Sequence, residues 1–459
     1  MLLKQKPKID AAARRQQMLT APIGKLVAAM AFPSTMNRII GIVYGLVDTY
    51  FVAQISTSAA AAVGVCCTIN NIVSGLVDSF GVGSKSIISR RLGAGDTRSA
   101  HTFASSTTFA CVLLGVLITS LGLLFLQPLL RFLGASDTMM PHAIPYARLL
   151  LLGIVFYCCN SAMSSALNAQ GQVGYGAFSY TAAIFLNAFL DYLFVIKLSM
   201  GAGGAALATT LSRMLTFSIL LSAFLRKKSI VKIRIKYISL KFRTYFEIIH
   251  TGLPTLFRQG SASVASTILY RMAGPFGDAA VAAISIANKI YSLCRNIVLG
   301  IGAGYQIVVG YNYGAGKKKR VKQSFSFATL AGTVFCLLCA AIMFFFPEGL
   351  IGLFRKDPDV VSVGAQMLRI MVFSMPLLAF STFVNQTYQC LGFSLWATLL
   401  ACCRQGILFI PCLYVLHHFF GLTGITMTQA AADILTALVS IPFLFYFFRK
   451  LLNKKEALL

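Results

Sequence analysis

Acidic residues are scarce in this sequence. Only 13 Asp and Glu stand against 40 Lys and Arg in 459 residues, and charged residues of both signs make up 12% of the chain. Soluble domains carry about 25% charged residues, so this chain has too little charge to cover a surface facing water on all sides. Histidines are few and lie near predicted loops (His101, His142, His250, His417, His418). No H-E-x-x-H or paired catalytic acid motif appears. An intramembrane enzyme needs a nucleophile–base or metal constellation within its spans, and the sequence offers none. There is also no short apolar h-region and cleavage site behind the polar start MLLKQKPKIDAAARRQQ, so no removable signal peptide is expected.

Apolar residues are abundant: 57% of the chain belongs to the hydrophobic set. A helix crossing the hydrocarbon core needs roughly 20 of them in a row. Twelve runs qualify: 24–55, 59–92, 99–126, 142–168, 173–199 and 202–225, then 244–272, 279–312, 321–346, 361–390, 393–419 and 422–448. The expected fold is an all-α integral membrane protein of twelve transmembrane helices. Its expected divisions are an N-terminal tail (1–23), a first lobe of six spans (24–225), a basic linker (226–243), a second lobe (244–448) and a C-terminal tail (449–459). Pro33, Pro145 and Pro376 are candidate kinks. The twelve cysteines sit in apolar runs, including the Cys336/Cys339 pair, and read as small apolar residues at helix contacts, not as a redox or metal site.

The net charge of +27 is concentrated in alternate loops and both tails: Arg90/Arg91/Arg98, RKKSIVKIRIKYISLKFR, KKKR and RKLLNKKE. This is the positive-inside pattern, with anionic lipid headgroups as partner and no nucleic acid. It predicts a multi-pass plasma-membrane protein with both termini in the cytoplasm.

The two halves repeat. Gly81-Val82-Gly83 and Gly93-Ala94-Gly95 recur 221 residues later as Gly302-Ala303-Gly304 and Gly314-Ala315-Gly316, and the same offset takes Arg148 to Arg369 and Gly171 to Gly392. At an offset of 220, Gly201 and Gly204 fall on Gly421 and Gly424. Six spans is an even number, so the repeats are parallel, an arrangement common in alternating-access transporters. These glycines permit close helix packing and helix bending, and the packing reading is preferred. No strand precedes the G-x-G runs, so they are not a nucleotide-binding fingerprint.

Four acids fall well inside spans: Asp48, Asp78, Asp191 and Asp433. Ionisable groups there are costly and default to function. Counting at 1.5 Å per residue places Asp48, Asp191 and Thr209 roughly 10–12 Å below the outer end. Asn187 stands one turn from Asp191, and Tyr44 one turn from Asp48. Two carboxylates at one depth favour a shared proton or a bound cation. Oxygen ligands of this type suit H⁺ or Na⁺. Asp48, Asn187, Asp191 and Thr209 would then ligate Na⁺ if that is the ion. The repeat puts Leu269, Leu408 and Cys412 at the positions of Asp48, Asn187 and Asp191, so the constellation belongs to one half. Arg38 and Asp78 lie at one depth, about 21 Å in, and are expected to form an intramembrane pair or gate. Asp433 has Arg404 or Arg295 as candidate partners.

The runs GLVDTYFVAQISTSAAAAVGV, GVGSKSIISRRLGAGD with its echo GAGYQIVVGYNYGAGKKK, and NAFLDYLFV followed by GGAALATTLS resemble the multidrug and toxic compound extrusion (MATE) family over nearly the whole chain. The resemblance implies two six-helix lobes in a V, acting as a monomer without cofactor. It implies export of small organic cations or amphipathic drugs in exchange for H⁺ or Na⁺. It assigns coupling to Asp48, Asn187, Asp191 and Thr209, with Tyr44, and adds Tyr146. Some branches carry an acid early in span 7; here that stretch is GLPTLFRQGSAS, which points to the branch whose coupling sits in the first lobe. A rival within the broader superfamily is a flippase for lipid-linked precursors. Arg38, Arg258 and Arg295 inside spans favour the rival, and an arginine-lined cavity would strengthen it.

Overall fold

The structure is a computed structural model; it describes residues 11–53, 57–226 and 229–451, with no side-chain description over 42–53, at 57, over 59–60 and over 450–451. Its helices are α1 (Ala11–Thr20), α2 (Ile23–Ala53), α3 (Thr57–Ala94), α4 (Thr97–Leu124), α5 (Leu126–Phe132), α6 (Met140–Ala169), α7 (Val173–Asp191) and α8 (Gly201–Leu225), followed by α9 (Phe242–Ala273), α10 (Asp278–Gly314), α11 (Lys318–Phe345), α12 (Pro347–Gly352), α13 (Pro358–Met371), α14 (Met375–Leu391), α15 (Ser394–Cys402) and α16 (Phe409–Tyr446). Eight described helical stretches are long and apolar enough to cross a membrane, and the bent pair α13/α14 makes a ninth. One of the eight, Ser394–Arg449, holds two spans, because Gly421 breaks α16 with φ 55° and ψ −128°. The long helices α2 and α9 complete twelve membrane segments.

Helix ends follow the repeat closely. After α3, the Asp96 N–H reaches the Arg91 carbonyl at 2.9 Å and Gly95 reaches Leu92 at 3.1 Å; after α10, Lys317 reaches Asn312 at 2.8 Å and Gly316 reaches Tyr313 at 2.9 Å. Both glycines have positive φ, 87° and 70°. The pattern is the Schellman stop, in which a left-handed residue turns two late N–H groups back onto otherwise unsatisfied carbonyls. Gly171 and Gly392, at φ 80° and 90°, end α6 and α14 in the same way. A backbone device that recurs at a spacing of 221 residues is direct evidence of two copies of one fold.

The chain forms two compact units, Met1–Thr20 with Met36–Gly252, and Ala21–Thr35 with Leu253–Leu459. The division therefore falls inside α2 and α9 and not in the linker. Glycine explains part of this. In the first unit, a methyl group on Gly83 would collide with the Ile248 carbonyl; in the second, one on Gly304 would collide with the Met30–Ala31 backbone. The repeated G-x-G motif is thus a close-packing device in both units.

Within the first unit α6 is central and packs on α3, α4 and α8; within the second, α14 packs on α10, α11 and α16. A glycine–cysteine exchange marks the α4/α6 and α11/α14 contacts. Gly115 lies against Val155 and Cys158, and Cys111, one turn earlier, is fully buried. At the repeat positions Gly332 lies against Ala379 and Phe383, and Cys336 is fully buried. Cysteine serves here as a small apolar residue that lets helices approach.

The basic tail and linker are also built in. Arg14 donates from Nη2 to the Gly171 carbonyl at 2.6 Å, and Arg15 from Nε to the Gly93 carbonyl at 2.9 Å. Cations thus cover the carbonyl ends of α6 and α3, where the helix dipole is negative. The buried Gln170 side chain accepts from the backbone N–H groups of Ile230 and Val231 at 2.6 and 3.2 Å. The Ser239 N–H donates to Ser106 Oγ at 2.9 Å. These bonds tie the linker to the first unit. Of the candidate kinks, Pro33 and Pro145 lie inside continuous helices, whereas Pro376 opens α14 after a 57° bend.

Candidate functional site

The interior of the first unit holds Asp191, Asn187 and Thr209. Asp191 and Asn187 are fully buried, and Thr209 is 5% exposed. Asn187 and Asp191 are one turn apart on α7, so they share a face. With its amide oriented to satisfy both neighbours, Asn187 donates to Asp191 Oδ2 at 3.0 Å, and its oxygen accepts from the Thr209 N–H at 3.3 Å. The asparagine therefore bridges α7 to α8. A π-helical turn, Tyr192–Lys197, begins directly after Asp191. Such turns widen the helix and recur at functional sites. Asp48 and Tyr44 lie on α2, and their side chains fall outside the described residues. Tyr146 is buried in the apolar core formed by α3, α4 and α6.

A second polar group lies in the same unit. Arg213 of α8 donates from Nη2 to Asn70 Oδ1 of α3 at 2.7 Å, and its guanidinium lies 5.1 Å from the centre of the Tyr157 ring. Asp78 is within electrostatic reach of Arg38, Tyr157 and Tyr180. The sequence count brings Arg38 and Asp78 to one depth; the structure sets them among tyrosines and a second arginine. Arg213 and Asn70 escaped sequence reasoning because attention to intramembrane acids passes over a basic residue in span 6.

The second unit carries different chemistry. Asp433 is 1% exposed and pairs with Arg404 Nε at 2.7 Å. Its Oδ1 also accepts from Gln429 Nε2 at 3.0 Å, and its Oδ2 accepts from the Tyr291 hydroxyl. Arg404 Nη2 donates back to the Tyr291 oxygen at 2.9 Å. Of the two candidate partners for Asp433, Arg404 makes the ion pair. A π-helical turn, Cys403–Ile407, contains Arg404. The repeat relates this group to the first unit: Tyr291 corresponds to Asn70 at an offset of 221, and Asp433 to Arg213 at 220. One pair of positions thus bridges α3 to α8 and α10 to α16, with a cation in one unit and an anion in the other. At the positions of Asn187 and Asp191, the second unit has Leu408 and Cys412.

Nearby in this unit a small cavity is lined by Arg258, Arg295 and Arg404 together with Ser381, Thr382 and Asn385.

Two repeats of six membrane helices, each with a polar interior, define a polytopic membrane protein of the transporter type. The MatE family model matches residues 33–193 and 254–415, one match in each repeat, and the chain belongs to that family. Among curated relatives, the multidrug export protein MepA of Staphylococcus saprophyticus is 24% identical over 409 residues, covering 89% of this chain and 90% of its own. A solved multidrug resistance MATE family transporter in an outward-facing conformation superposes with a TM-score of 0.89 at 25% identity, over 96% of this chain and 98% of that one. A MOP superfamily transporter from Pyrococcus furiosus, described as having a binding pocket of reverse polarity that suggests a different function, superposes at 0.88, with 25% identity over 96% and 98%.

Proposed function

We propose that this protein is a secondary multidrug exporter that moves cationic and amphipathic organic compounds out of the cell in exchange for H⁺ or Na⁺. The observation that carries the proposal is the fully buried Asp191 carboxylate, held by Asn187 beside Thr209 in the first unit alone. A carboxylate inside a membrane helix is retained against a desolvation cost of at least a few kcal/mol. Binding a proton or a sodium ion removes that cost, so the group senses the ion gradient. The count along the sequence assigns Asp48 and Tyr44 of α2 to the same site. The names of the relatives support drug export as the task of the family's related members.

In this reading the outer solution delivers the ion to Asp48 and Asp191. Neutralisation changes how α7 and the π turn after it pack on α8. The conformer that binds the ion best must bind drug least, since two ligands are coupled only by differential affinity for two states. The basic tails and linker face the cytoplasm, where anionic headgroups hold them. The protein acts as a monomer in the plasma membrane.

The test is ethidium efflux from proteoliposomes under imposed H⁺ or Na⁺ gradients. Wild type drives efflux under one gradient, and Asp191→Asn and Asp48→Asn do not. Efflux at the wild-type rate in both variants sinks the coupling site, and no efflux of any cationic dye by folded wild type sinks the exporter. The intramembrane arginines and the arginine-lined cavity of the second unit are the observations on the side of a flippase for lipid-linked precursors.

A further inference from the structure

We propose that residues 235–243 form an interfacial strap: Ile235, Leu240 and Phe242 enter the cytoplasmic leaflet, and Lys236, Lys241 and Arg243 bind the headgroups of anionic phospholipid there. This rests on the cytoplasmic placement of the linker in the exporter reading, and not on the cargo.

The first unit holds the backbone of the strap in place. The N–H groups of Lys232, Arg234 and Ser239 donate to His101 Nδ1, Ser105 Oγ and Ser106 Oγ at 3.3, 3.1 and 2.9 Å. All three acceptors stand in the first three turns of α4. This helix has 28 residues, and at 1.5 Å per residue it is about 42 Å long, more than a hydrocarbon core of roughly 30 Å. Its first turns therefore reach into the headgroup layer, and the linker lies along them at that level.

The side chains divide between two faces. The backbone is extended at Arg234, with φ −148° and ψ 146°, so neighbours point to opposite sides. Val231 is fully buried and Ile233 packs on the Met163/Leu167/Leu220/Ala223 cluster, whereas Lys232 and Arg234 are exposed. Beyond Arg234, apolar residues turn outward as well: Ile235 is 87% exposed, Leu240 93% and Phe242 80%. A single exposed apolar residue is ordinary, but three within eight positions make a patch that gains by leaving water. The patch runs on into a spanning helix. Phe242, Phe246 and His250 follow one face of α9 at four-residue spacing, with ring centres 6.3 and 5.7 Å apart. A surface continuous with the outer face of a membrane helix meets lipid.

Charge selects the lipid. Lys236, Lys241 and Arg243 are exposed beside these apolar residues, and no acid occurs between 226 and 246. In such a segment the apolar side chains reach the acyl boundary while the cations stay among phosphates.

The test places an indole in the strap of the full-length protein. Trp396, the one tryptophan of the chain, is replaced by Phe, and Leu240→Trp or, in a second variant, Phe242→Trp is added. Each is reconstituted in nanodiscs of phosphatidylcholine and phosphatidylglycerol, with one or the other lipid brominated on its acyl chains. Brominated lipid lowers the emission at least about twofold, as it does for an indole that reaches the acyl boundary. Phosphatidylglycerol binds at the strap at least about fivefold more tightly than phosphatidylcholine, the ratio that one cation near an anionic surface supplies. Lys236→Gln, Lys241→Gln and Arg243→Gln together remove that preference. Emission unchanged by both brominated lipids in both tryptophan variants overturns insertion, and means that water or protein covers the patch. Equal quenching by the two lipids, or a preference that survives the triple substitution, overturns anionic recognition. No gradient or drug enters the measurement, so these failures leave the exporter standing, and a lack of drug efflux leaves the strap standing.

Discussion

The two units share a backbone and differ in what they bury. Their helix stops, close glycine contacts and small-residue seams recur at a spacing of 221 residues. Their interior chemistry does not. The first unit buries Asp191 with an amide and a hydroxyl residue; the second has leucine and cysteine at the matching positions and surrounds a cavity with arginine. The bridge between Asn70 and Arg213 becomes one between Tyr291 and Asp433, with the sign of the charge reversed. A fold that duplicates keeps what holds helices together, since that is common to both copies, and is free to change what its interior binds.

The comparison can be broken most severely at the acids. Asp191→Asn removes gradient-driven efflux altogether, whereas Cys412→Asp in that variant, which places an acid at the equivalent point of the second unit, does not bring it back. Restored ethidium efflux would mean that the two interiors are interchangeable. The next largest effect is on stability. Arg404→Ala leaves Asp433 buried without its ion-pair partner, which costs about 3–5 kcal/mol. Arg404→Ala combined with Asp433→Asn costs less than Arg404→Ala alone. Thermal unfolding in detergent, followed by tryptophan-independent scattering or dye binding, reads both. If the single and double variants melt together, the pair is not the source of the penalty.

The shared seams sharpen the comparison at intermediate size. Gly115→Val and Gly332→Val each force α4 from α6 or α11 from α14, by an overpacking penalty of about 1–3 kcal/mol. Similar losses in both variants show that the seam is one device used twice. A loss confined to one unit shows that the other can relax.

The smallest effects lie at a helix start where the units differ. Asp96 caps α4 by accepting from the Ser99 N–H at 3.0 Å, whereas Lys317, its repeat position before α11, makes no side-chain cap. Asp96→Ala is expected to cost about 1 kcal/mol, and Lys317→Asp to recover a similar amount at α11. Partial burial raises the Asp96 proton affinity, but the Ser99 bonds and the charges of Arg91 and Arg98 outweigh it and hold the carboxyl below its ordinary range. Its contribution is therefore complete above the ordinary carboxylate range and is lost as pH falls through the lowered value. The Tm difference between wild type and Asp96→Ala should shrink as the pH is taken down through that window.

Much of this protein was legible in its residues. Apolar run length and the placement of Lys and Arg determine a twelve-span membrane protein, since lipid tolerates no other backbone arrangement for such runs. The 221-residue spacing of glycines reveals the repeat, because a left-handed stop and a close helix contact each require that residue. Counting along helices also brings Asn187, Asp191 and Thr209 to one depth. What counting does not supply is which side chains meet across helices. Rotation about each helix axis, the π turns at Tyr192–Lys197 and Cys403–Ile407, and the break between α13 and α14 are set by packing against neighbours distant in sequence. Only the tertiary structure therefore decided that Asp433 meets Arg404 and Tyr291, that Arg213 meets Asn70, and that three arginines from α9, α10 and the turn before α16 share one cavity.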